Sequence, residues 1–303
     1  MVSFTFADCP ARSMFLAWMA MLIIASSSQA QQTPANPEDA AEERSSTETL
    51  VAERLQELVE RAKQGLDRVK AEVQDYEFVL TKQERVGGRL LEPLDIAVKI
   101  RHEKRVGDAV ETPFSVYAKF ISPEKFKGRE VLYVEGQRGG DMLARRGGRR
   151  NPNMTVQIVP DGPLAMDGHR YPITQIGFVI MVERLIEVME TKFTAEDCDI
   201  RIYEDAKLDG RPCQHFELTM REKKPESGFM RARVFVDNEY RIPVFYAAYD
   251  WPKEEGGKPV LLELYAYRRV RLNVGLTDKD FDPTNPDYNF SNAKPLSDDV
   301  GDD

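Results

Sequence analysis

The sequence predicts a mainly β, α+β fold: a highly twisted antiparallel sheet or incomplete β-barrel of about eleven strands. The sheet is expected to enclose one central helix, with an N-terminal amphipathic helix packed on it. Three observations predict this. The first is Thr174–Glu190 (TQIGFVIMVERLIEVME), a helical stretch in a chain otherwise patterned for strands, whose first half is apolar on every side. A surface helix usually shows one apolar stripe, so a helix apolar all round is enclosed by protein. The second is alternation with period two along most of the remaining sequence. The third is the tight-turn residues between those segments, Asp209-Gly210, Asp237-Asn238 and Gly256-Gly257. Short links imply antiparallel pairing, because parallel strands need long crossovers.

Residues Met1–Ala30 are patterned as a secretory signal. Arg12 supplies a positive n-region, Met14–Ala25 an apolar run, and Ser28-Gln29-Ala30 the small-x-small cleavage pattern. A retained membrane anchor is the rival reading, and the run is short of the roughly 20 residues a spanning helix needs. Cys9 precedes the apolar run, unlike a lipid-modified cysteine. Residues 31–44, polar and proline-bearing, are expected as a flexible leader. Ser45-Ser46-Thr47-Glu48 has capping-box spacing. From there to about Gln74, Val51, Leu55, Leu58, Ala62, Leu66, Val69 and Val73 share one helical face. Heptad-like spacing suggests a coiled coil as the alternative, but there are fewer than about four heptads and no partner signals. This helix is therefore expected to lie across the sheet.

Alternation follows at Tyr76, Phe78 and Leu80, then at Ile96, Val98 and Ile100, then at Phe114, Val116, Ala118 and Phe120. Further strands are expected at Glu130–Glu135, Asp141–Arg145 and Thr155–Val159. After the central helix they are expected at Asp199–Glu204, Gln214–Arg221, Arg231–Val236, Val244–Tyr249 and Val260–Leu272. Gly177 falls inside the central helix, where glycine costs about 1 kcal/mol against alanine, so a close approach by another backbone or a ligand is expected there. Tyr288 and Phe290 can pin the start of the acidic C-terminal stretch, and 291–303 is expected to be disordered. The organisation is thus a signal over 1–30, a leader over 31–44, one domain over 45–290 and a tail over 291–303.

The net charge of −9 argues against nucleic acid as a partner, since such domains are usually basic. After signal cleavage Cys198 and Cys213 remain. A hairpin turning at Asp209-Gly210 pairs Cys213 with residue 206 and Cys198 with residue 221, out of register for a disulfide, so buried free thiols are preferred. Cys213 and His215 share a strand face, which suggests a thiol–imidazole pair, but no orienting acid is indicated and chance spacing is the favoured account. Adding Cys198 gives no recognisable zinc spacing. Asp278, Asp280 and Asp282 mimic a calcium loop, yet Pro283 stands where Gly is needed and Asn289 where Glu is needed. Thr277 capping a short turn, with Asp280 at its start, is the better account. Arg145, Arg146, Arg149 and Arg150 form a basic loop that glycines are expected to keep mobile. It reads either as a contact for an anionic membrane surface or acidic partner, or as a solvated hairpin loop, the favoured reading.

The element order over about 45–290 resembles the lipoprotein-carrier fold family (LolA/LolB-like), whose members are exported and wrap an incomplete antiparallel barrel around helices. More narrowly, Tyr171–Glu187 (YPITQIGFVIMVERLIE) and Gly275–Phe290 (GLTDKDFDPTNPDYNF) resemble two signature stretches of an exported bacterial domain family of unknown function. The carrier resemblance implies an apolar cavity between sheet and helices, no catalytic residues and no cofactor; the narrow family brings no known active site. The expected wall is Phe178, Met181, Val182 and Leu185 on the helix, with Phe78, Leu80, Val98, Ile100, Val116 and Phe120 on the sheet. For any single one, ordinary core is the plainer alternative. The function expected is non-catalytic: an exported carrier, periplasmic or in the cell envelope, for a lipid, acyl chain or lipidated protein. The rival is an envelope structural or interaction module whose barrel is filled by its own helix. A hydrolase ranks below both, because no nucleophile–base–acid set can be assembled.

Overall fold

The computed structural model describes residues 37–192, 194–224, 228–291 and 294. The expected signal peptide lies outside them, as does the expected tail apart from Ser291 and Lys294. The first element, α1 (Pro37–Glu72), begins inside the stretch expected as leader. Pro37 suits a first helical turn, and Ala40, Ala41, Glu42 and Glu43 are strong helix formers.

Nine strands follow: β1 (Asp75–Val86), β2 (Arg89–Leu90), β3 (Leu94–Arg101), β4 (Lys104–Val106), β5 (Ala109–Thr112), β6 (Ser115–Ser122), β7 (Glu130–Val134), β8 (Met142–Arg145) and β9 (Thr155–Ile158). The helical insertion holds α2 (Pro163–Met166) and α3 (Phe178–Thr191). Five strands complete the domain: β10 (Cys198–Leu208), β11 (Arg211–Met220), β12 (Arg231–Asp237), β13 (Pro243–Asp250) and β14 (Val260–Leu272). Twelve of them form one sheet in the order β10-β11-β12-β13-β14-β1-β3-β6-β7-β8-β9, with β2 paired to β1. Every described pairing in it is antiparallel, and the path ends at β10 and β9, so the sheet is open. The short β4–β5 hairpin stands apart. It escaped the alternation reading because its strands are short and mostly exposed.

Pairing of β1 with β14 joins the two halves of the chain, with Leu80 opposite Tyr267 and Glu84 opposite Glu263. The β10–β11 hairpin turns at Asp209 and Gly210, both with positive φ, as a two-residue turn requires. Cys213 lies opposite Ala206 as expected, and a bulge between Tyr203 and Ala206 places Cys198 opposite Met220. Both cysteines are buried and free.

The core has three parts. Val69 of α1, Val73 just beyond its end, Phe178 of α3 and the inward residues of β1, β3 and β6 form the largest. Val51, Leu55 and Leu58 of α1 pack with Ile200, Met220 and Ala248 at the other end of the sheet. On the outer face, Phe281, Leu276, Tyr288 and Phe290 cover Tyr117, Leu132 and Leu143. Helices α1 and α3 run antiparallel, as Lys63–Glu190 and Lys70–Glu183, each at 2.7 Å, show.

The central helix is shorter than its sequence suggests. Ile173–Gln175 forms a separate 3-10 turn, and Gly177 is the N-cap of α3 rather than an interior residue. Its φ of 116° is a conformation that side chains rarely adopt. The close approach is by Tyr76, whose hydroxyl a Cβ at Gly177 would overlap. That hydroxyl accepts from the Phe178 N–H at 3.1 Å. Gly177→Ala is therefore expected to cost about 1–3 kcal/mol in backbone strain, with the displaced hydroxyl adding to it. Tyr76→Phe leaves a buried N–H unpaired, at about 1–3 kcal/mol. In the double variant the new Cβ no longer meets a hydroxyl, so the two losses should sum to less than additivity in denaturant unfolding. Full additivity would count against the contact.

Candidate functional site

Strand residues alternate between faces, so Phe78, Leu80, Lys82 and Glu84 of β1 all point to the side of the sheet that holds α3. Phe78 is covered by Phe178 at 5.8 Å between ring centroids. Beyond it the helix stands off the sheet and leaves a cavity of about 430 Å³. That volume lies in the range of small-molecule sites, about 300–1,000 Å³. Ile180, Met181, Leu185 and Val188 of α3, with Ile176 just before it, form one wall, and Leu80, Ile96, Phe120 and Met142 are among the sheet residues opposite.

A band of polar side chains crosses this cavity. Lys82 Nζ donates to Glu84 Oε2 and to His169 Nδ1, both at 2.9 Å. Glu84 also accepts from the Tyr265 hydroxyl at 2.6 Å. Burial by itself would raise the Glu84 carboxyl, but Lys82 and Tyr265 hold it below the usual carboxylate range. Glu263 pairs with Arg170 at 2.8 Å and accepts from the Tyr171 hydroxyl at 3.1 Å. Burial nevertheless raises its pKa. His169 is pushed down to about 4, by burial first and then by Lys82, so the imidazole is neutral. The Arg184 guanidinium lies 4.2 Å over the Tyr171 ring and donates to Gln175 Oε1 at 2.8 Å.

Of the residues expected to form the wall, Met181, Leu185, Leu80 and Phe120 line the cavity. The others, Phe178, Val182, Phe78, Val98, Ile100 and Val116, are buried in the packed core. Alternation tells which way a side chain points, but not whether a helix or a void meets it there. The polar band escaped the sequence reading, although Lys82 and Glu84 share parity with Leu80 and so had to point inward.

The basic segment divides. Arg145 is buried; it donates to the Gly128 carbonyl and to Asn153 Oδ1 at 2.9 Å, and lies 4.0 Å from Glu130. Arg146, Arg149 and Arg150 are exposed. Gly147 and Gly148 do not serve mobility, because each lies against the backbone of Lys125–Arg129, where a Cβ has no room. Cys213 and His215 turn to separate partners: Sγ lies 3.5 Å from the Arg211 carbonyl, and His215 Nε2 accepts from Arg233 Nε at 3.2 Å. At the C-terminal turn, Thr277 and Asp280 cap each other reciprocally. Asp278 and Asp280 bind Arg101 and Lys99, each at 2.7 Å, which accounts for these carboxylates locally.

Residues 73–290 match a family model described as a protein of unknown function, DUF1571. The chain belongs to the DUF1571 family. No curated protein matches it. Among solved structures it is similar to a DUF1329 family protein from Desulfovibrio piger, at 15% identity and a TM-score of 0.33, over 74% of this chain and 95% of that one. It is also similar to a LolA superfamily protein from Nitrosomonas europaea, at 11% identity and a TM-score of 0.29, over 75% and 96% of the two chains. A third is the lipoprotein LppX of Mycobacterium tuberculosis, at 10% identity and a TM-score of 0.39, over 73% and 97%.

Two residues of the first turn of α3 in this DUF1571 chain make opposite demands. Phe178 stacks on Tyr76 at 4.6 Å between centroids and is fully buried. Phe178→Ala should cost about 3–5 kcal/mol, the usual loss for an aromatic in a closed core. Met181 has the cavity on one side, so fewer contacts are lost on truncation, and Met181→Ala should cost less than about 2 kcal/mol. Urea unfolding of both variants checks the contrast, and equal losses would place Met181 in closed core.

Proposed function

We propose that this DUF1571 protein is an exported, non-catalytic binding or carrier protein for a lipid, acyl chain or lipoprotein anchor. The observation that carries this reading is the cavity of about 430 Å³ between α3 and the inward sheet face, walled mainly by apolar side chains. Burying apolar surface contributes about 25 cal/mol per Å², so such a space retains a hydrocarbon chain without many polar contacts. Export to the periplasm or cell envelope rests on the Met1–Ala30 pattern. A non-catalytic role is supported by the separate engagements of Cys213 and His215.

The second reading is an envelope structural or interaction module filled by its own helix. It draws support from Phe178, Val182 and Ile186, which fill the sheet at one face of α3. Organic extraction of the exported protein followed by mass spectrometry separates the two. An amphiphile recovered in stoichiometric amount is expected; a clean extract together with a strongly destabilised Met181→Ala would sink the carrier reading.

Loading such a cavity from a bilayer calls for contact with a membrane, and Arg146, Arg149 and Arg150 are the exposed cations we assign to it. Each basic residue near an anionic surface is worth about 1 kcal/mol, and the attraction is screened by salt. Replacing all three by Gln should weaken sedimentation with phosphatidylglycerol vesicles at low salt and leave the melting temperature nearly unchanged. Arg145→Gln should do the reverse, because its partners are internal. Equal vesicle binding by the triple variant and wild type would return the loop to a solvated role.

A further inference from the structure

Along the strand order, most polar groups on the sheet side of the cavity lie between two apolar stretches, while Gln175, Arg184 and Glu187 line its helical side. Following the sheet order, the first arm of the wall is Ile200 of β10, Phe216 and Leu218 of β11 and Val234 of β12. Its one charged strand residue in the lining, Glu217, is 3.6 Å from Arg233. The second arm is Ile96 of β3, Ala118 and Phe120 of β6, Val131 of β7 and Met142 of β8. Between the arms stand three adjacent strands, β13, β14 and β1, and these supply Tyr246, Glu263, Tyr265, Lys82 and Glu84. A single-chain amphiphile has its polar group at one end. A cavity with apolar arms on both sides of a polar band has the complementary pattern for a molecule polar in its middle.

The chemistry of the band specifies what that middle is. Both carboxylates already accept from protein donors: Glu84 from Lys82 and Tyr265, Glu263 from Arg170 and Tyr171. They have little to gain from a ligand donor. Burial lowers the Lys82 pKa, while Glu84 and Glu263 favour its ammonium, which places two of its three N–H bonds on Glu84 and His169. Because His169 Nδ1 accepts from Lys82, the neutral ring carries its proton on Nε2. Among the described residues, neither the third Lys82 N–H nor His169 Nε2–H has a protein acceptor. The band therefore offers donors to an acceptor, and its two ion pairs already balance their own charges.

We propose that the cavity takes a two-armed amphiphile whose ester or amide carbonyls sit at Lys82 and His169, one apolar arm under β10–β12 and the other under β3–β8. This rests on the reading of the cavity as a site for an apolar ligand and goes further by naming the ligand's chemical class. Ester-linked diacyl chains reach such a site from a free lipid or from the diacylglyceryl anchor of a protein.

The test uses the full chain and three soluble probes: dioctanoylglycerol, its dialkyl-ether analogue and monooctanoylglycerol. Wild type should bind the diester at least about tenfold more tightly than either of the others, since a few methylene contacts or a carbonyl contact reach that ratio. Two variants block one arm each, Val188→Trp for the first and Ala165→Trp for the second, both at half-buried lining positions. Each should lower diester affinity at least about tenfold while monooctanoylglycerol still binds in the open arm; unchanged melting confirms that both are folded. A diacylglyceryl-cysteine peptide in the same assay tells a protein anchor from a free lipid by which binds more tightly. Monooctanoylglycerol binding as well as the diester, or only one block mattering, would overturn the two-armed ligand and leave the apolar-cavity reading standing. No binding by any probe would overturn both.

Discussion

The position of α3 depends on one hydrogen bond made where the helix begins. A helix leaves its first N–H groups without internal partners, and Gly177 has no side chain to cap them. The Tyr76 hydroxyl supplies an acceptor from the neighbouring β1 strand, fully buried beneath the Phe178 ring. Burial raises the Tyr76 pKa, so the hydroxyl stays protonated and the contact is neutral. Only glycine leaves room for that hydroxyl, and only glycine readily takes the backbone angle that turns the chain from the Ile173–Gln175 turn into the helix. Fixing this end of α3 against the sheet presents Phe178, Val182 and Ile186 to the core. Ile180, Met181 and Leu185, on the neighbouring face, are left facing the open side. The cavity is thus a consequence of how the helix is pinned rather than a failure of packing.

The outer face carries a matching constraint. The C-terminal segment covers β6, β7 and β8 by stacking Tyr288 on Tyr117 at 3.8 Å and burying Phe281 completely. Its polar anchors are specific. Glu130, wholly buried, accepts from Asn289 N–H at 2.8 Å and from its side-chain amide at 2.9 Å. A buried carboxylate without such donors would cost several kcal/mol, so this segment and the sheet beneath it stabilise each other. That half of the sheet is thus covered on its outer face, while Phe120 and Val131 line the cavity on the inner one.

Much of this was legible in the sequence wherever chemistry and geometry are local. Alternation located the main strands, with Val260–Leu272 matching its expected span, and Asp209-Gly210 set the register that separates the cysteines. The reciprocal cap at Thr277 and Asp280 was readable from spacing because all its parts lie within one turn. The break at Gly177 was not, since the helical periodicity runs through it and the deciding atom belongs to Tyr76. Arg145 likewise looks like part of a basic run, and only the fold turns it inward toward Gly128, Asn153 and Glu130. The division of Phe78, Leu80 and their neighbours into core and wall depends on where α3 ends up, which no strand pattern contains.

The polar band shows why charged residues can stand inside an apolar cavity without destroying it. An unpaired charge there would have to be neutralised or hydrated, and water held by it would compete with an apolar ligand. Here Glu84 and Glu263 are satisfied from within, by Lys82, Tyr265, Arg170 and Tyr171, whether or not a ligand is present. Isolated buried pairs of this kind are often no better for stability than hydrophobic replacements. Their presence on the adjacent strands β1 and β14 is therefore better explained by orientation than by stability. They hold Lys82 Nζ and the His169 ring in one arrangement, which orients their remaining N–H bonds. Hydrocarbon packing is non-directional, so these donors, rather than the apolar arms, are the part of the cavity able to set a ligand's register along the sheet.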